Sequence, residues 1–446
     1  MNNYIPVIGL EIHVELKTKS GMFCQCANGL EDAPSNSQVC PVCLGLPGAL
    51  PVPNKKAIEW TVKIGKALNC AISRHTKFDR KHYSYPDLAK GYQISQYDEP
   101  IAKTGYLEFG PNHGTYKNEA KKFRIHRVHL EEDTGKLIHK NDETRIDFNR
   151  SGVPLVEIVT EPDFTSSSDV KMFLEELHAI IRYLDVSDAD LEKGTMRMEP
   201  NISVKPVGVE GLPKYKVEVK NINSFNFVKR AIDFEVARHI EMLESGKTPA
   251  QETRGWDSEK GITYSQRTKE EAHDYRYFPE PDIPPFILED EYIRKIADTI
   301  PELPKAKLDR FIGELHLKEL DAYIITRDRQ LADYFESVLA IIKKENKELG
   351  IEQKVASAIN NKRISSTQSA EESAKKYIEL TKPVATDTGL LTESVKKVVT
   401  ANEKAVNEYK SGKTTVIMFL VGQVMKEMKG KADASTVRKA LEAALV

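Results

Sequence analysis

Between Ile8 and Leu16 apolar and polar residues alternate: Ile8, Leu10, Ile12, Val14 and Leu16 fall on one side, Gly9, Glu11, His13 and Glu15 on the other. A period of two is the pattern of a strand with one buried face. It recurs in MRMEPNISVK, where Arg197, Glu199, Asn201, Ser203 and Lys205 oppose Ile202 and Val204. In KYKVEVK, Lys216, Glu218 and Lys220 oppose Val217 and Val219. Helical spacing replaces alternation in two places. One helix begins near Ser168, with Val170, Phe173, Leu174, Leu177, Ile181 and Leu184 on one face. A second follows Asn223-Ser224 and aligns Val228, Ile232, Val236, Ile240 and Leu243 before Gly246 ends it. The four prolines of YFPEPDIPP (277–285) mark a boundary, and a further break falls at TKPVATDTG (381–389). Beyond about residue 290 the pattern is helical throughout. The expected fold is therefore α+β: a mostly antiparallel β domain with helices over 1–292, a helical segment over 293–380 and a small all-α segment over 381–446.

One polar strand face is ordinarily just solvated. Here such faces accumulate: Glu157 and Glu161 alternate within PLVEIVTEP, and RVHLEED (127–133) and QETR (251–254) add carboxylates. Strand faces rich in Glu and Asn, with Lys and Arg nearby, point to the floor of a polar cleft. One His among several carboxylates, with no thiolate, suits a hard cation such as Mg²⁺, which would hold nucleotide phosphates during phosphoryl transfer. FDRKHYSYPD (78–87) interleaves Arg80 and Lys81 with Tyr83 and Tyr85. That mixture serves phosphate and base or ribose contacts as readily as it makes a solvated, tyrosine-rich turn.

Cys24, Cys26, Cys40 and Cys43 form a CxC…CxxC set. Two close thiolate pairs fit a closed tetrahedral structural Zn²⁺ site; an iron–sulfur cluster or free buried thiols are the alternatives. Cys70 is isolated and reads as a small core residue. The net charge of −2 gives no global attraction for nucleic acid, so such a ligand needs local basic patches. Residues 381–446 supply one, with eleven Lys or Arg against seven Asp or Glu. There Lys410, Lys413, Lys426, Lys429 and Lys431 flank the series Val416, Met418, Phe419, Leu420, Val424 and Met428, expected to turn inward. A solvated helical face is the plainer account of those lysines. No apolar run approaches the roughly 18 residues of a membrane span. The N-terminus also lacks the basic, apolar and small-residue order of a signal peptide, so a cytoplasmic location is expected. Gly412-Lys413-Thr414 and Gly246-Lys247-Thr248 are not phosphate loops, because Asn407 and Glu241 stand where the first glycine belongs. Glutaminase signatures are absent from the sequence.

The segments IGLEIHVEL, CPVCLGLPGALPVPN, FDRKHYSYPD with GYQISQYDEPI, RVHLEEDTGK, DFNRSGVPLVEIVTEPD, KNINSFNFVKRAI, QETRGWD, DYRYFPEPDIPP and FLVGQVMKEMKGKA span nearly the whole chain. Together they resemble the GatB/GatE family, the B subunits of glutamyl-tRNA(Gln)/aspartyl-tRNA(Asn) amidotransferases. The resemblance implies a cradle domain with the active site (1–292), a helical linker domain (293–380) and a YqeY-like, tRNA-binding tail (381–446). It implies that ATP phosphorylates the side-chain carboxylate of a misacylated tRNA. Ammonia from an amidase-family A subunit then displaces the phosphate, and a small C subunit completes a heterotrimer. It further implies Mg²⁺ ligands His13, Glu132 and Glu252 with Glu11 around them. Lys81 and Tyr83 would lie near the phosphates or aminoacyl end, Glu157 and Asn201 would line the same cavity, and the tail lysines would meet tRNA phosphates.

Three features depart from the family pattern. Where many members carry Arg-Cys-Asp-x-Asn, this chain has Arg197-Met198-Glu199-Pro200-Asn201, keeping a carboxylate at Glu199 but one methylene longer. The helical region between about 340 and 385 is shorter than usual, and only some members carry the four cysteines. Two rival readings differ in what they require. A non-catalytic tRNA-binding protein needs no acidic metal cluster, and a stand-alone metal-dependent hydrolase acts without partner subunits.

Overall fold

The computed structural model describes residues 3–29, 32–110, 120–268, 275–345, 348–381, 388–428 and 432–445. Its centre is a nine-stranded sheet of β1 (Tyr4–Glu15), β2 (Ala71–Ile72), β3 (Ala102–Phe109), β4 (Lys121–Glu132), β5 (Pro154–Thr160), β6 (Met196–Pro206), β7 (Val217–Lys220), β8 (Glu252–Asp257) and β9 (Ile262–Thr268). The spatial order is β9-β8-β7-β6-β1-β5-β4-β3-β2. Neighbours are antiparallel except β7 and β8. The alternating segment thus becomes the central strand. Ile8, Leu10, Ile12 and Val14 are buried on one side with Val128, Leu130, Val156, Ile158, Met196, Met198, Val217 and Val219.

Helices α1 (Lys55–Ala67), α2 (Ser167–Leu184) and α3 (Phe225–Glu244) contribute to the same core. Each starts where a side chain can take the free amides of the first turn. Asn54 accepts from Lys56 and Ala57, Ser166 from Asp169, and Ser224 from Phe227. The six apolar positions expected for α2 are all buried. In α3 the buried face is Val228, Ala231, Ile232, Glu235 and His239; Val236, Ile240 and Leu243 are only half-buried. The reason is a polar network beneath the helix: Glu235 pairs with Arg254 of β8 and accepts from Thr263 of β9.

One irregularity decides which residues reach the sheet's other face. Val159 of β5 is opposite Arg127, but Thr160 is opposite Ile125, so His126 is an extra residue in β4. A bulge of this kind puts two consecutive side chains on one side and inverts the alternation beyond it. Phe123 and Ile125 are buried in the core before the bulge, Val128 and Leu130 after it. Arg127, His129 and Glu131 therefore face away from the core. A three-stranded ribbon of Asp79–His82, Tyr92–Ser95 and Phe278–Pro279 meets the end of β4, where Ser95 Oγ donates to Glu131 at 2.9 Å.

The chain forms two compact units, residues 1–335 and 336–446. The division falls inside the segment read as a linker, since its first helices are tied to α2: Tyr183 Oη donates to the Thr326 carbonyl at 2.9 Å, and Arg329 to that of Tyr183 at 2.8 Å. In the second unit Leu391, Val395, Val398, Leu420, Val424, Val437 and Leu441 build a small core. Met418 and Phe419, expected inward, are 62% and 50% exposed, and Ile417 and Val421 take their places. The 3₁₀ turn Thr414–Val416 sets the helix Ile417–Glu427 in that phase. Lys410, Lys413 and Lys426 are exposed, Lys413 pairing with Glu408 at 3.0 Å. Lys429, Lys431 and residues 382–387 of the second expected break lie outside the described residues. Among the described residues no helix is long and apolar enough to cross a membrane.

Candidate active site

The face of the sheet opposite the apolar core is lined by charged residues from five adjacent strands. Register places His13 beside Glu157 and Arg197, Glu11 beside Glu199, Gly9 beside Asn201, and Asn201 beside Glu218. Glu157 in turn lies beside His129. His13 Nε2 is 3.4 Å from Glu157 and 3.8 Å from Glu131; His129 Nε2 is 3.3 Å and 3.6 Å from the same two. Lys220 pairs with Glu199 at 2.9 Å and lies 3.8 Å from Glu218. Thr253 of β8 donates to Glu218 at 2.9 Å. Of the expected residues, Glu11, His13, Glu157, Glu199 and Asn201 come together here.

Lys81 and Tyr83 approach from the ribbon. The Lys81 ammonium is 5.7 Å from the Tyr83 ring centre and 5.0 Å from that of Tyr275. Burial opposes its charge, but Glu131 and Glu157 outweigh burial and push its pKa up. His13 behaves alike: burial works against protonation, and the bond to Glu157, with the charges of Glu157, Glu199 and Glu131, raises it to about 9. Burial and the Glu157 charge lift Glu11 to about 7. Glu157, despite burial, is held well below the carboxylate range by His129 and His13.

Glu132 and Glu252 do not join this cluster, so the expected ligand set of His13, Glu132 and Glu252 is not brought together. Glu132 shares the side of Leu130: it meets Lys90 at 2.8 Å and accepts from the Ile94 amide. Glu252 is opposite Val217 and so faces the α3 side, bonded to Arg254 at 2.8 Å and Ser265 at 2.6 Å. The groups that can share an ion are Glu11, His13 and Glu157; His129, Glu131 and Glu157; or Glu11, Glu199 and Glu218, each trio with ligand atoms within 4.8 Å. Octahedral Mg²⁺ with bonds of about 2.1 Å needs ligand separations of about 3.0–4.2 Å, within small movements of these. Sequence reasoning missed His129, Glu131 and the part played by Glu218. RVHLEED displayed the first two, which alternate there with the buried Val128 and Leu130.

The four cysteines gather around the loop before α1. Cys43 Sγ is 3.8 Å from that of Cys40 and 4.0 Å from that of Cys26, and all four sulfurs lie within 4.8 Å. Tetrahedral Zn–S bonds of about 2.3 Å require sulfurs about 3.8 Å apart, so the set fits zinc. Hydrogen bonds from Cys24 and the other neighbouring thiols pull Cys43 below the ordinary thiol range, to about 5. Gly45 makes the turn possible: its φ is +65°, and a Cβ there would meet Lys90 Cγ at 2.4 Å.

Fold and comparison agree on the class, a catalytic α+β domain followed by a helical one. Residues 6–294 match the family model described as the GatB/GatE catalytic domain, and residues 292–445 that described as the GatB domain. The chain belongs to the GatB/GatE family. It is 44% identical over 481 residues to a Thermotoga maritima protein, covering 98% of each chain. Identity is 42% over 486 residues with a Carboxydothermus hydrogenoformans protein (99% of this chain, 98% of the other) and 45% over 478 residues with one from Caldicellulosiruptor saccharolyticus (98% of each). All three relatives are named as the B subunits of aspartyl/glutamyl-tRNA(Asn/Gln) amidotransferases. These alignments are longer than the chain's 446 residues, so the relatives carry positions with no counterpart here.

Proposed function

We propose that this chain is the subunit of an aspartyl/glutamyl-tRNA(Asn/Gln) amidotransferase that amidates the misacylated tRNA, with the polar sheet face as its active site. The observation that carries this is the convergence of Glu11, His13, Glu157 and Lys81 on one half-buried, charge-rich face, together with family membership. The carboxylate of a tRNA-bound glutamate or aspartate is a poor electrophile. Its oxygen attacks the γ-phosphorus of ATP, ADP leaves, and the acyl phosphate gains a good leaving group. Ammonia then attacks the acyl carbon and phosphate departs, leaving the amide.

Glu11, His13 and Glu157 would hold Mg²⁺, His13 as the neutral imidazole after giving up the proton that Glu157 favours in the metal-free site, with Glu131, Glu199 and Glu218 around them. When bound, the ion offsets the negative charge of the ATP phosphates and the carboxylate brought together. Lys81, kept protonated by Glu131 and Glu157, is the fixed cation for the substrate carboxylate or phosphates, and Tyr83 stands beside it. Asn201, at the Glu11 end, supplies an amide for hydrogen bonding. The cysteine set would hold a structural Zn²⁺. Because this sequence carries no glutaminase signature, ammonia would come from a partner amidase-family A subunit, with a small C subunit completing a cytoplasmic heterotrimer. The domain reading kept with this proposal is a cradle over 1–292, a linker over 293–380 and a tRNA-binding tail over 381–446. Reconstitution with A and C subunits tests the proposal: amide formation on Glu-tRNA(Gln) and Asp-tRNA(Asn) should require ATP and proceed with glutamine or free ammonia. ATP-independent activity, or activity of this chain alone on glutamine, would overturn it.

A further inference from the structure

Arg127 is left over from every interaction so far described. The bulge in β4 turns it onto the polar face, one alternation before His129. Its strand neighbours are paired, Arg124 with Asp163 at 2.6 Å and His126 with Glu161 at 2.8 Å. Arg197, on the same face, is held by Asp133. Arg127 makes no side-chain hydrogen bond or ion pair among the described residues, and its Nε is buried without a partner. A buried donor of a charged group without an acceptor is unfavourable, so such a group marks a place where an anion belongs.

The neighbourhood says which anion. Geometry brings the segment around Tyr97 to this part of β4: Lys103, opposite Arg127 in the sheet, donates to the Asp98 carbonyl at 2.8 Å, and the Leu130 amide donates to Gln96 at 3.0 Å. Tyr277 accordingly feels the charges of both Lys81 and Arg127. Tyr277 stacks on Tyr97 with ring centres 4.4 Å apart and planes 13° apart, and Tyr97 remains 53% exposed. Tyr97 is fixed from below, because its amide donates to Asp79, a buried carboxylate paired with Lys77 at 2.6 Å. From Tyr277 the rings continue edge-on through Tyr275 to Tyr83 at about 6 Å steps, ending at Lys81. An unpaired guanidinium binds phosphate, and an open tyrosine face accepts a base. Together they match a nucleotide, in which phosphate and base sit on either side of a sugar.

We infer that Arg127 and the Tyr97–Tyr277 pair form a nucleotide subsite at the rim of the polar face, with phosphate on the guanidinium and a base on the open side of Tyr97. The inference rests on the amidotransferase reading for the identity of the nucleotide, since both ATP and the unpaired 3′ end of a tRNA carry this chemistry. The test is equilibrium binding to the assembled complex without turnover, using Mg²⁺-ATP and uncharged tRNA with and without its 3′-terminal nucleotide. Arg127→Gln and Tyr97→Ala are each expected to weaken one probe about tenfold, with Tyr97→Phe within about twofold of wild type. Loss for ATP assigns the subsite to ATP; loss for intact but not truncated tRNA assigns it to the RNA end. Unchanged binding of both probes by variants that keep the wild-type Tm overturns the inference. Because Tyr97 is exposed, its substitution remains informative if Arg127→Gln fails to fold. A complex that binds both probes normally yet never amidates would count against the proposed function and not rescue the subsite.

Discussion

Adjacent glutamates in β4 separate two kinds of role. Glu131 lies on the polar face, within 3.8 Å of His13 and 3.6 Å of His129, while Glu132 reaches the other way to Lys90. Glu131→Gln should lower kcat for amidation at least tenfold with little change in Tm, because it removes charge from the reacting face. Glu132→Gln should instead lower stability by about 3 kcal/mol, since it leaves the Lys90 ammonium buried without its anion. Thermal melts and steady-state rates on the two variants separate the roles, and the reverse pattern would refute the placement. The same pair shows how far the chain could be read by eye. In β1, β6 and β7 simple alternation named the polar face correctly, because those strands pair without a register shift at these positions. Counting β4 by twos from the buried Phe123 and Ile125 puts Glu131 in the core. The bulge at His126 reverses the answer, and the sequence carries its mark: apolar Phe123 and Ile125 are followed by Val128 and Leu130, an odd step of three that breaks the alternation.

At the level of elements, two polar supports hold strands and loops in place. Beneath α3, Glu235 is fully buried and engages Arg238 at 2.7 Å, Arg254 at 3.2 Å and His239 at 3.0 Å. Burial opposes its ionisation, yet bonds from His239, Arg238 and Thr263 hold it at about 2, below its ordinary 4.5. A depressed carboxylate stabilises the fold above its unfolded pKa and loses that contribution as pH falls through the folded one. The contribution, about 3 kcal/mol at most, is therefore complete above about pH 4.5 and fades toward pH 2. Glu235→Gln should be much less stable than wild type near neutrality, and the gap should shrink on acidification. A gap independent of pH in denaturant titrations would contradict this. The apolar spacing of α3 hid this network, since Val236, Ile240 and Leu243 looked like the inward face. The cysteine loop is the second support. Chelation should remove one zinc per chain and lower Tm, because metal affinity becomes folding stability when the site forms only in the folded state. A zinc-free preparation with four freely titrating thiols and an unchanged Tm would exclude the metal.

For the whole molecule, the proposed function gives the chemistry and the capture of substrate to different parts of the chain. The tail is locally basic on a chain that is net negative, and Lys410, Lys413 and Lys426 are exposed there. Contacts from such lysines would be to phosphates, and so salt-dependent and indifferent to sequence. Deleting residues 381–446 should raise the KM for misacylated tRNA about tenfold at moderate salt while sparing the rate at saturating tRNA. Equal KM values for truncated and full-length complexes at several salt concentrations would make the tail a structural appendage. The central claim concerns the sheet face, and one measurement addresses it most directly: ATP- and ammonia-dependent amidation of misacylated tRNA by the assembled complex carrying His13→Ala, beside wild type and Glu252→Gln. Ammonia bypasses the glutaminase, so only the proposed chemistry of this chain is read. The account predicts at least about a hundredfold loss for His13→Ala with intact assembly, and a far smaller loss for Glu252→Gln, whose carboxylate faces α3. A wild-type rate from the His13→Ala complex would contradict it.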